Sequence, residues 1–489
     1  MSAARGLLRN SAALAAGNFA ASMLGLFFMA AFARSRGPEG LGAFQFAAAV
    51  ASLTTLVVAL GLDILLVREI ARDRSRANPL AAASLAFKAT LALPALGLIA
   101  LIAEIRYGGP QGQVLLVVTA AALLDVMTAT FTSVFRAFER MEYEAAVMIG
   151  GSVASAIAGA SALAAGWDLV SVVSCWALGS VVKAAAAYAF ARGRFVTGPL
   201  VSSRAAVASL AGPSLACGAL AVIGAIYSNA DIVMLQEMAS QREVGWYTAA
   251  TKLISVVLYV PSLLMASLFP LLSRQGSALD KTAAAASYDQ AFYALLCMGL
   301  PAGVGAALVA GPFVRLVYGE GFEMSATALV LLSPYLGWFF INLVNGTAMM
   351  ALGRQRFLAV GTGLATAFNV AGNYLAIPRF GMAGACFTTV VASGAGAVLY
   401  TIVCHRDLRL PFRWSLLLRA AASAAVMGAS VSALSSFGLH VLLVIPAGAA
   451  IYVAGLRATG VLRFPAASGH RFPAAAGAPV SAEGSWTRT

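Results

Sequence analysis

Long apolar segments, which follow one another along almost the whole chain, constrain its fold more than any other feature of the sequence. A helix needs about 20 apolar residues to cross about 30 Å of hydrocarbon at about 1.5 Å per residue. Roughly fourteen segments approach or meet this length, and only short polar connections separate them. The sequence therefore predicts an all-α polytopic membrane protein with about 14 transmembrane helices. The predicted spans are residues 12–33, 43–66, 80–103, 113–135, 145–166, 169–191, 207–235, 244–270, 288–310, 327–351, 357–377, 383–403, 415–436 and 439–457.

The composition excludes a water-soluble fold. Hydrophobic residues make up 61% of the chain and charged residues only 10%, whereas about a quarter of the residues in soluble domains are charged. The net charge of +13 does not indicate a nucleic-acid partner, because the basic residues lie in the connections between spans and not on clustered faces interleaved with aromatic residues. The first apolar run is longer than a signal-peptide core, so we interpret it as an uncleaved span.

No residue pattern in the sequence predicts a metal site, a cofactor or an enzymatic activity. The cysteines and histidines are scattered and lack metal-ligand spacing. They are Cys175, Cys217, Cys297, Cys386, Cys404, His405, His440 and His470. The connections are also too short to hold a catalytic domain.

The basic residues predict the orientation of the chain. Short connections rich in Lys and Arg stay in the cytoplasm. Sorting alternate connections gives roughly 22 basic residues on the side of the N-terminus against 6 on the opposite side. With an even number of spans, both termini are predicted to be cytoplasmic.

An internal repeat divides the predicted spans. Similar segments recur in the same order at nearly constant offsets of 203 to 215 positions. The matched segments are 40–44 with 243–247, 138–143 with 352–357, and 166–170 with 381–385. The repeat predicts two parallel six-helix bundles around a central cavity, related by an axis along the membrane normal. The predicted units are an N-terminal half at 1–206, a C-terminal half at 207–406, an extra helix pair at 407–458 and a disordered cytoplasmic tail at 459–489.

Such repeats are typical of transporters, in which the substrate lies between the halves and access alternates between the two sides of the membrane. Ion channels and respiratory subunits are the main alternatives. Channels usually contain a filter or a pore loop, and respiratory subunits contain histidine sites. We find neither signal.

Five segments carry a resemblance to a known family. They are residues 33–44, 61–63, 68–72, 229–235 and 244–253. Together they resemble the polysaccharide-transporter (Wzx-like, O-antigen flippase) branch of the multidrug/oligosaccharidyl-lipid/polysaccharide (MOP) flippase superfamily, over most of the chain through span 12.

The resemblance implies a multi-pass protein of the bacterial inner membrane. Such a protein would move an undecaprenyl-pyrophosphate-linked oligosaccharide from the cytoplasmic to the periplasmic leaflet for the biosynthesis of surface polysaccharide. It would make or break no bond. The resemblance also implies a cation-lined cavity between spans 1, 2, 7 and 8, coupling to a proton or sodium gradient, and polysaccharide polymerases as partners.

Three other functions stay open at this point, and one of them is a scaffold with a collapsed cavity, which would neither transport nor catalyse. A multidrug or small-molecule exporter of the same superfamily would usually have twelve spans. A membrane glycosyltransferase, polymerase or ligase that acts on the same lipid would need a sizeable periplasmic loop with catalytic residues, and none is visible.

Ionisable residues inside the spans are the candidate site residues, because a charge near the bilayer centre costs about 2.5 to 3.5 kcal/mol on insertion scales. Lys252 and Asp231 flank the loop between spans 7 and 8 at similar distances, so we expect them at comparable depth. The repeat counterparts, Ala49 and Phe28, are apolar. We expect Lys252 to bind the diphosphate, unless it extends to the interface. We expect Asp231 to hold Lys252 or to bind the coupling cation.

Three further basic residues are candidates for substrate binding. Arg34 and Arg36 lie near the periplasmic mouth and would meet the pyrophosphate there, unless they belong to an ordinary solvated loop. Lys88 would line the cavity, unless it extends to the interface.

The remaining charges are candidates for coupling or for structural roles. Asp63 is expected to form an ion pair with Arg68, and Asp125 is expected to pair with Lys183 in the first half. Four asparagines in spans 10 and 11 would either contact sugar hydroxyls or join helices through hydrogen bonds. They are Asn342, Asn345, Asn369 and Asn373.

Overall fold

The computed structural model describes residues 2–200, 202, 210, 224–277 and 281–462. Helices make up all the regular structure in these residues, and no strand occurs among them. The helices are α1 (Ser2–Ala59), α2 (Leu62–Arg72), α3 (Ala77–Ile102), α4 (Gly109–Ala137), α5 (Met141–Ala164), α6 (Leu169–Arg194), α7 described over 224–238, α8 (Gln241–Ser277), α9 (Lys281–Tyr318), α10 (Glu323–Ala351), α11 (Gln355–Phe380), α12 (Met382–Asp407), α13 (Trp414–Ser436) and α14 (Val441–Ala458).

Ten stretches of the described chain are long and apolar enough to cross a membrane. The all-α membrane fold predicted from the sequence is confirmed. The predicted boundary at 206/207 lies outside the described residues, and so does most of the predicted tail, from residue 463 onward.

The first element contains two predicted spans, because α1 reverses direction at Gly37. This residue has φ 67° and ψ −174° and is followed by Pro38, so the backbone has a conformation that only glycine adopts readily. The rings of Phe32 and Phe44 are 5.6 Å apart, although twelve residues of straight helix would separate them by about 18 Å. We call residues 2–36 α1a and residues 38–59 α1b.

The predicted second span, residues 43–66, extends past the C-terminal end of the helix in the structure. It was expected to continue to residue 66, but α1b ends at Ala59 and α2 begins at Leu62 after two residues with positive φ, Leu60 and Gly61. One side of α2 is buried, whereas charged residues occupy the other side. Helix α2 is therefore a short amphipathic helix, and its apolar residues do not extend the span.

The helix connections alternate between two faces of the molecule. One face holds connections 36–38, 103–109, 165–168, 239–240, 319–322, 381 and 437–440. The other holds connections 60–76, 138–140, 195–202, 352–354 and 408–413. Most of the arginines in the connections lie on the second face, which we call the basic face.

The distribution of the hydrophobic cores shows where the bundles meet. Near the first face, one core contains residues of both bundles, such as Phe44 from α1b, Val244 from α8 and Tyr318 from α9. Near the basic face, the first bundle has its own core around Phe135 and the second bundle has its own around Phe292. The bundles are thus joined at the first face, which we call the closed face, and have separate cores toward the basic face.

Helices α13 and α14 form the extra pair that the sequence predicts. They share a core with α9, in which Val309 packs with residues such as Met427 and Val444. The pair therefore lies against the second bundle.

Candidate functional site

Lys252 lies on α8, eleven residues after its start at Gln241, or about 16 Å along the helix axis. Its side chain is accessible to solvent, yet surrounding protein atoms remove much of its hydration. The side chain is therefore partly surrounded by protein and partly open. Within the described part of the chain, the ammonium group forms no hydrogen bond or ion pair.

Asp231 on α7 is buried in a shell of neutral hydrogen-bond donors. Its carboxylate accepts from the Tyr247 hydroxyl at 2.6 Å, the Asn373 amide at 2.6 Å and the Thr389 hydroxyl at 2.9 Å. Asn373 also donates to the side-chain oxygen of Asn369 at 3.3 Å. The three donors bring together helices α8, α11 and α12 around α7.

The expected contact between Asp231 and Lys252 is absent, and helix geometry explains this. Asp231 binds α8 through Tyr247, which is five residues before Lys252. Five residues of α-helix correspond to a rotation of about 140°. Tyr247 therefore faces the interior of the second bundle, whereas Lys252 faces another direction.

Lys88 is fully buried, with 0% of its side chain exposed. The expectation that Lys88 lines the cavity does not agree with this burial. Its ammonium group donates to Asp63 at 2.6 Å, to the Val126 carbonyl at 2.9 Å and to the Thr130 hydroxyl at 3.0 Å. An ammonium group has three donors, and all are used here. Lys88 therefore links α2, α3 and α4 and has no free donor for an external ligand.

Asp63 also differs from its prediction, since its partner is Lys88 and not Arg68. The first turn of α2 directs Asp63 toward Lys88 of α3. Arg68 instead pairs with Glu69, with 3.5 Å between Nε and Oε1. The pair is partly open to solvent, because 27% of the Asp63 side chain is exposed.

The predicted pair of Asp125 and Lys183 is present, with 2.6 Å between Oδ2 and Nζ. It joins α4 to α6, and the stem of Lys183 lies against Gly151 of α5, where a Cβ atom would overlap it. The side chains are 39% and 18% exposed. The second oxygen of Asp125, Oδ1, is buried and has no hydrogen-bond partner among the described residues.

Arg34 and Arg36 both lie at the closed face and donate to backbone carbonyls at helix ends. Arg34 Nε donates to the Val317 carbonyl at 2.8 Å, and its NH2 group donates to the Leu316 carbonyl. Arg36 donates to the Trp167 carbonyl after α5. Because the last carbonyls of a helix lack partners within the helix, the two Arg34 contacts satisfy orphan acceptors at the end of α9. These contacts involve two nitrogen atoms of Arg34 and one of Arg36, so both guanidinium groups are held at the closed face and keep further N–H donors. The expected contact with a pyrophosphate stays a prediction.

A sequence model of the family described as "Polysaccharide biosynthesis protein" matches residues 7–275, more than half of the 489 residues. The chain belongs to this family. A sequence search among curated proteins finds no match.

Solved structures share the fold of this polysaccharide biosynthesis family member. Lipid II flippase MurJ in an inward closed conformation has 13% identity and a TM-score of 0.76, over 92% of this chain and 99% of that one. An inward-facing multidrug resistance MATE family transporter of the MOP superfamily has 16% identity and a TM-score of 0.66, over 79% and 94%. A MOP superfamily transporter from Pyrococcus furiosus has 15% identity and a TM-score of 0.56, over 83% and 95%. The predicted resemblance to this superfamily is confirmed.

Tyr247 and Thr389 were not predicted as site residues in this family member. Tyr247 and Thr389 are uncharged residues in largely apolar helices. Their hydroxyls reach Asp231 only because α8 and α12 pack on α7. Asn373 was expected either to bind sugar or to join helices, and the structure shows it joining helices. The one signal in the sequence was the spacing of Asn369 and Asn373, which places two amides on one side of α11.

Proposed function

We propose that this protein is a flippase for an undecaprenyl-pyrophosphate-linked oligosaccharide in the biosynthesis of surface polysaccharides such as O-antigen or exopolysaccharide. It would move this lipid from the cytoplasmic to the periplasmic leaflet of the bacterial inner membrane. The observation that carries the proposal is the solvent-accessible ammonium group of Lys252, which has no hydrogen-bond or ion-pair partner among the described residues, in a membrane protein of this family.

The diphosphate is the part of the substrate that Lys252 would bind. A diphosphate is anionic, and charge-assisted hydrogen bonds to an ammonium group are stronger than neutral ones. An enclosed position strengthens this attraction, because the effective dielectric constant is lower than in water. The apolar tail would stay in the bilayer while the head group crosses between the bundles.

The proposed direction of movement follows from the two faces. The excess of arginine on the basic face supports a cytoplasmic location for it. The closed face would then be periplasmic, and the bundles would separate toward the cytoplasm, where the substrate is made. Rocking of the bundles would open the closed face and release the substrate on the other side.

Asp231 would serve as the coupling charge. Its neutral donors can hold either a carboxylate or, after reorientation, a protonated carboxyl group, and carboxylate and amide oxygens also suit a small cation such as sodium. Binding of a proton or sodium would change the contacts that tie α7 to α8, α11 and α12.

We expect Asp231→Asn to abolish the stimulation of transport by an imposed ion gradient. Equal stimulation in this variant and in the wild type would contradict the coupling role.

An exporter of small molecules is the second candidate, favoured by the fold shared with the MATE transporter. An exporter would lower the intracellular accumulation of cationic dyes in a strain that lacks other pumps. A flippase would not change dye accumulation, but its deletion would abolish surface polysaccharide.

The test in cells is a Lys252→Ala variant in a deletion strain. We expect loss of surface polysaccharide and accumulation of the lipid-linked oligosaccharide in the inner leaflet, at unchanged abundance of the protein in the membrane. Ser255→Ala is the matched control, since Ser255 is an exposed residue one turn further along α8. Normal polysaccharide in the Lys252→Ala strain would remove Lys252 from the site, and normal polysaccharide in the deletion strain would reject the function.

A further inference from the structure

Two glycines at equivalent positions of the repeat form a reciprocal contact at the closed face. Gly42 lies in α1b and Gly245 lies in α8, 203 positions later. A Cβ atom on Gly42 would overlap the carbonyl oxygen of Gln241, and a Cβ atom on Gly245 would overlap the carbonyl oxygen of Pro38. Since Pro38 and Gln241 are also 203 positions apart, each helix presents the same surface to the other, as in a two-fold symmetric interface.

Two charged side chains cross between the bundles beside this contact. Arg34, at the end of α1a, reaches the last carbonyls of α9. Glu237, at the end of α7, accepts from the guanidinium of Arg106 and from the hydroxyl of Tyr107 after α3. Arg34 and Glu237 are again 203 positions apart. The repeat thus places two arms at equivalent sites, and each arm reaches the other bundle.

The receiving ends of the arms are also anchored at equivalent positions, one by a hydrogen bond and the other by ring packing. The Tyr318 hydroxyl at the end of α9 donates to the Ala249 carbonyl of α8 at 3.1 Å. The ring of Tyr107 packs on Phe46 of α1b with 5.3 Å between centroids, and Phe46 and Ala249 are 203 positions apart. Each arm therefore holds a segment that is itself fixed to α8 or α1b.

We infer that Gly42, Gly245, Arg34 and Glu237 form a reciprocal latch that holds the closed face shut. The two glycines allow the backbones of α1b and α8 to approach closely, and the two arms hold them there. The arms carry opposite charges and lie at the molecular surface, so water can replace their partners when the face opens. That the face opens at all rests on the proposed alternating access.

This inference assigns Arg34 a role that differs from the one predicted from sequence. Its guanidinium group would act on the equilibrium between the closed and open states by binding helix-end carbonyls. It would be a positioning residue, whereas Lys252 would contact the substrate.

The test measures opening of the closed face without any substrate. In the full-length protein, with its five native cysteines replaced by serine, Ser255→Cys supplies a reporter thiol beside Lys252. A membrane-impermeant maleimide is added to right-side-out vesicles, and the labelling rate is measured for Arg34→Ala, Glu237→Gln and the double variant. Because hydrogen bonds to charged groups are the stronger class, we expect labelling of the double variant to rise about tenfold. Arg379→Ala is the matched control, since among the described residues Arg379 donates only within its own helix, to the Leu375 carbonyl.

A second pair of variants tests the glycine contact. Gly42→Ala is expected to raise labelling because its Cβ atom prevents the close approach. Gly25→Ala should not raise it, because no described atom outside its own stretch of helix lies within 4 Å of the added Cβ position. Unchanged labelling in the double arm variant and in Gly42→Ala, or an equal rise in either control, would overturn the latch. If labelling rises as expected but no lipid-linked oligosaccharide moves, the latch stands and the proposed function fails.

Discussion

The carboxylate of Asp231 has no cationic partner among the residues that the structure describes, so neutral donors supply its solvation. Tyr247 and Thr389 both donate to Oδ2, and Asn373 donates to Oδ1. Hydrogen bonds of this kind are costly to lose, because a buried acceptor without a partner keeps its full desolvation penalty.

Tyr247→Phe removes one of these donors and is expected to lower the free energy of unfolding by about 1–3 kcal/mol. Thermal unfolding of the purified protein in detergent measures the effect. Tyr188→Phe is the matched control, since the Tyr188 ring is exposed on α6. Equal unfolding temperatures of Tyr247→Phe and the wild type would show that the hydroxyl does not stabilise the Asp231 shell.

Lys88→Met leaves Asp63 without its cation and is expected to destabilise the protein by about 3 kcal/mol, the lower end of the range for broken buried pairs, because Asp63 is partly exposed. The double variant Asp63→Asn/Lys88→Met should regain part of this loss, since no unpaired charge remains. If the double variant unfolds at nearly the wild-type temperature and still transports the lipid, Lys88 has a structural role. Loss of transport in a stable double variant would restore the predicted role in substrate binding.

The sequence allowed some residue contacts to be predicted and concealed others. Asp125 and Lys183 were paired correctly, because both lie deep in spans of the same predicted bundle. Lys88 was recognised as an unusual charge, but its acceptors come from α2 and α4, and only the packing of three helices reveals them.

Among the helical elements, the reversal of α1 has the strictest sequence requirement. The hairpin depends on Gly37, which has φ 67° and ψ −174°, and Pro38 follows directly. Among the described residues, the order of the long helices could be read from apolar length alone. The end of the second span could not, because α2 continues the apolar sequence and only the positive φ at Leu60 and Gly61 separates the two helices.

Gly37→Ala is expected to lower the free energy of unfolding by about 1–3 kcal/mol, because a side chain at this φ and ψ is strained even where space is available. The structure shows no atom within 4 Å of the added Cβ position, so the effect would come from the backbone. Gly25→Ala, in the regular part of α1a, provides the control in the same thermal unfolding experiment. A Gly37→Ala protein as stable as this control would show that α1 can reverse without a glycine.

The assembled bundles combine a repeat that is visible in the sequence with an asymmetry that is not. The offset of 203 positions relates the contacting residues of the closed face, including opposite charges at Arg34 and Glu237. Which face is closed could not be predicted. In alternating access, one sequence has to form two states, and each state is closed at a different face. Only the shared core at one face and the separate cores at the other reveal it.

The orientation of the two faces can be tested with single cysteines in the cysteine-free protein. Ala165→Cys lies in a connection of the closed face and Gln355→Cys lies at the basic face, both at exposed positions. We expect an impermeant maleimide to label residue 165 in intact spheroplasts and residue 355 only after permeabilisation. The reverse pattern would place the basic face in the periplasm and contradict the proposed direction of transport.

The proposed flippase activity is tested by reconstitution of the purified protein into liposomes with a fluorescent polyprenyl-pyrophosphate-linked oligosaccharide. An impermeant quencher reports the fraction of lipid that has crossed the bilayer. We expect rapid crossing with the wild type and with Ser255→Ala, and background crossing with Lys252→Ala at equal protein density. Crossing by the wild type no faster than in protein-free liposomes, with or without an ion gradient, would contradict the proposal.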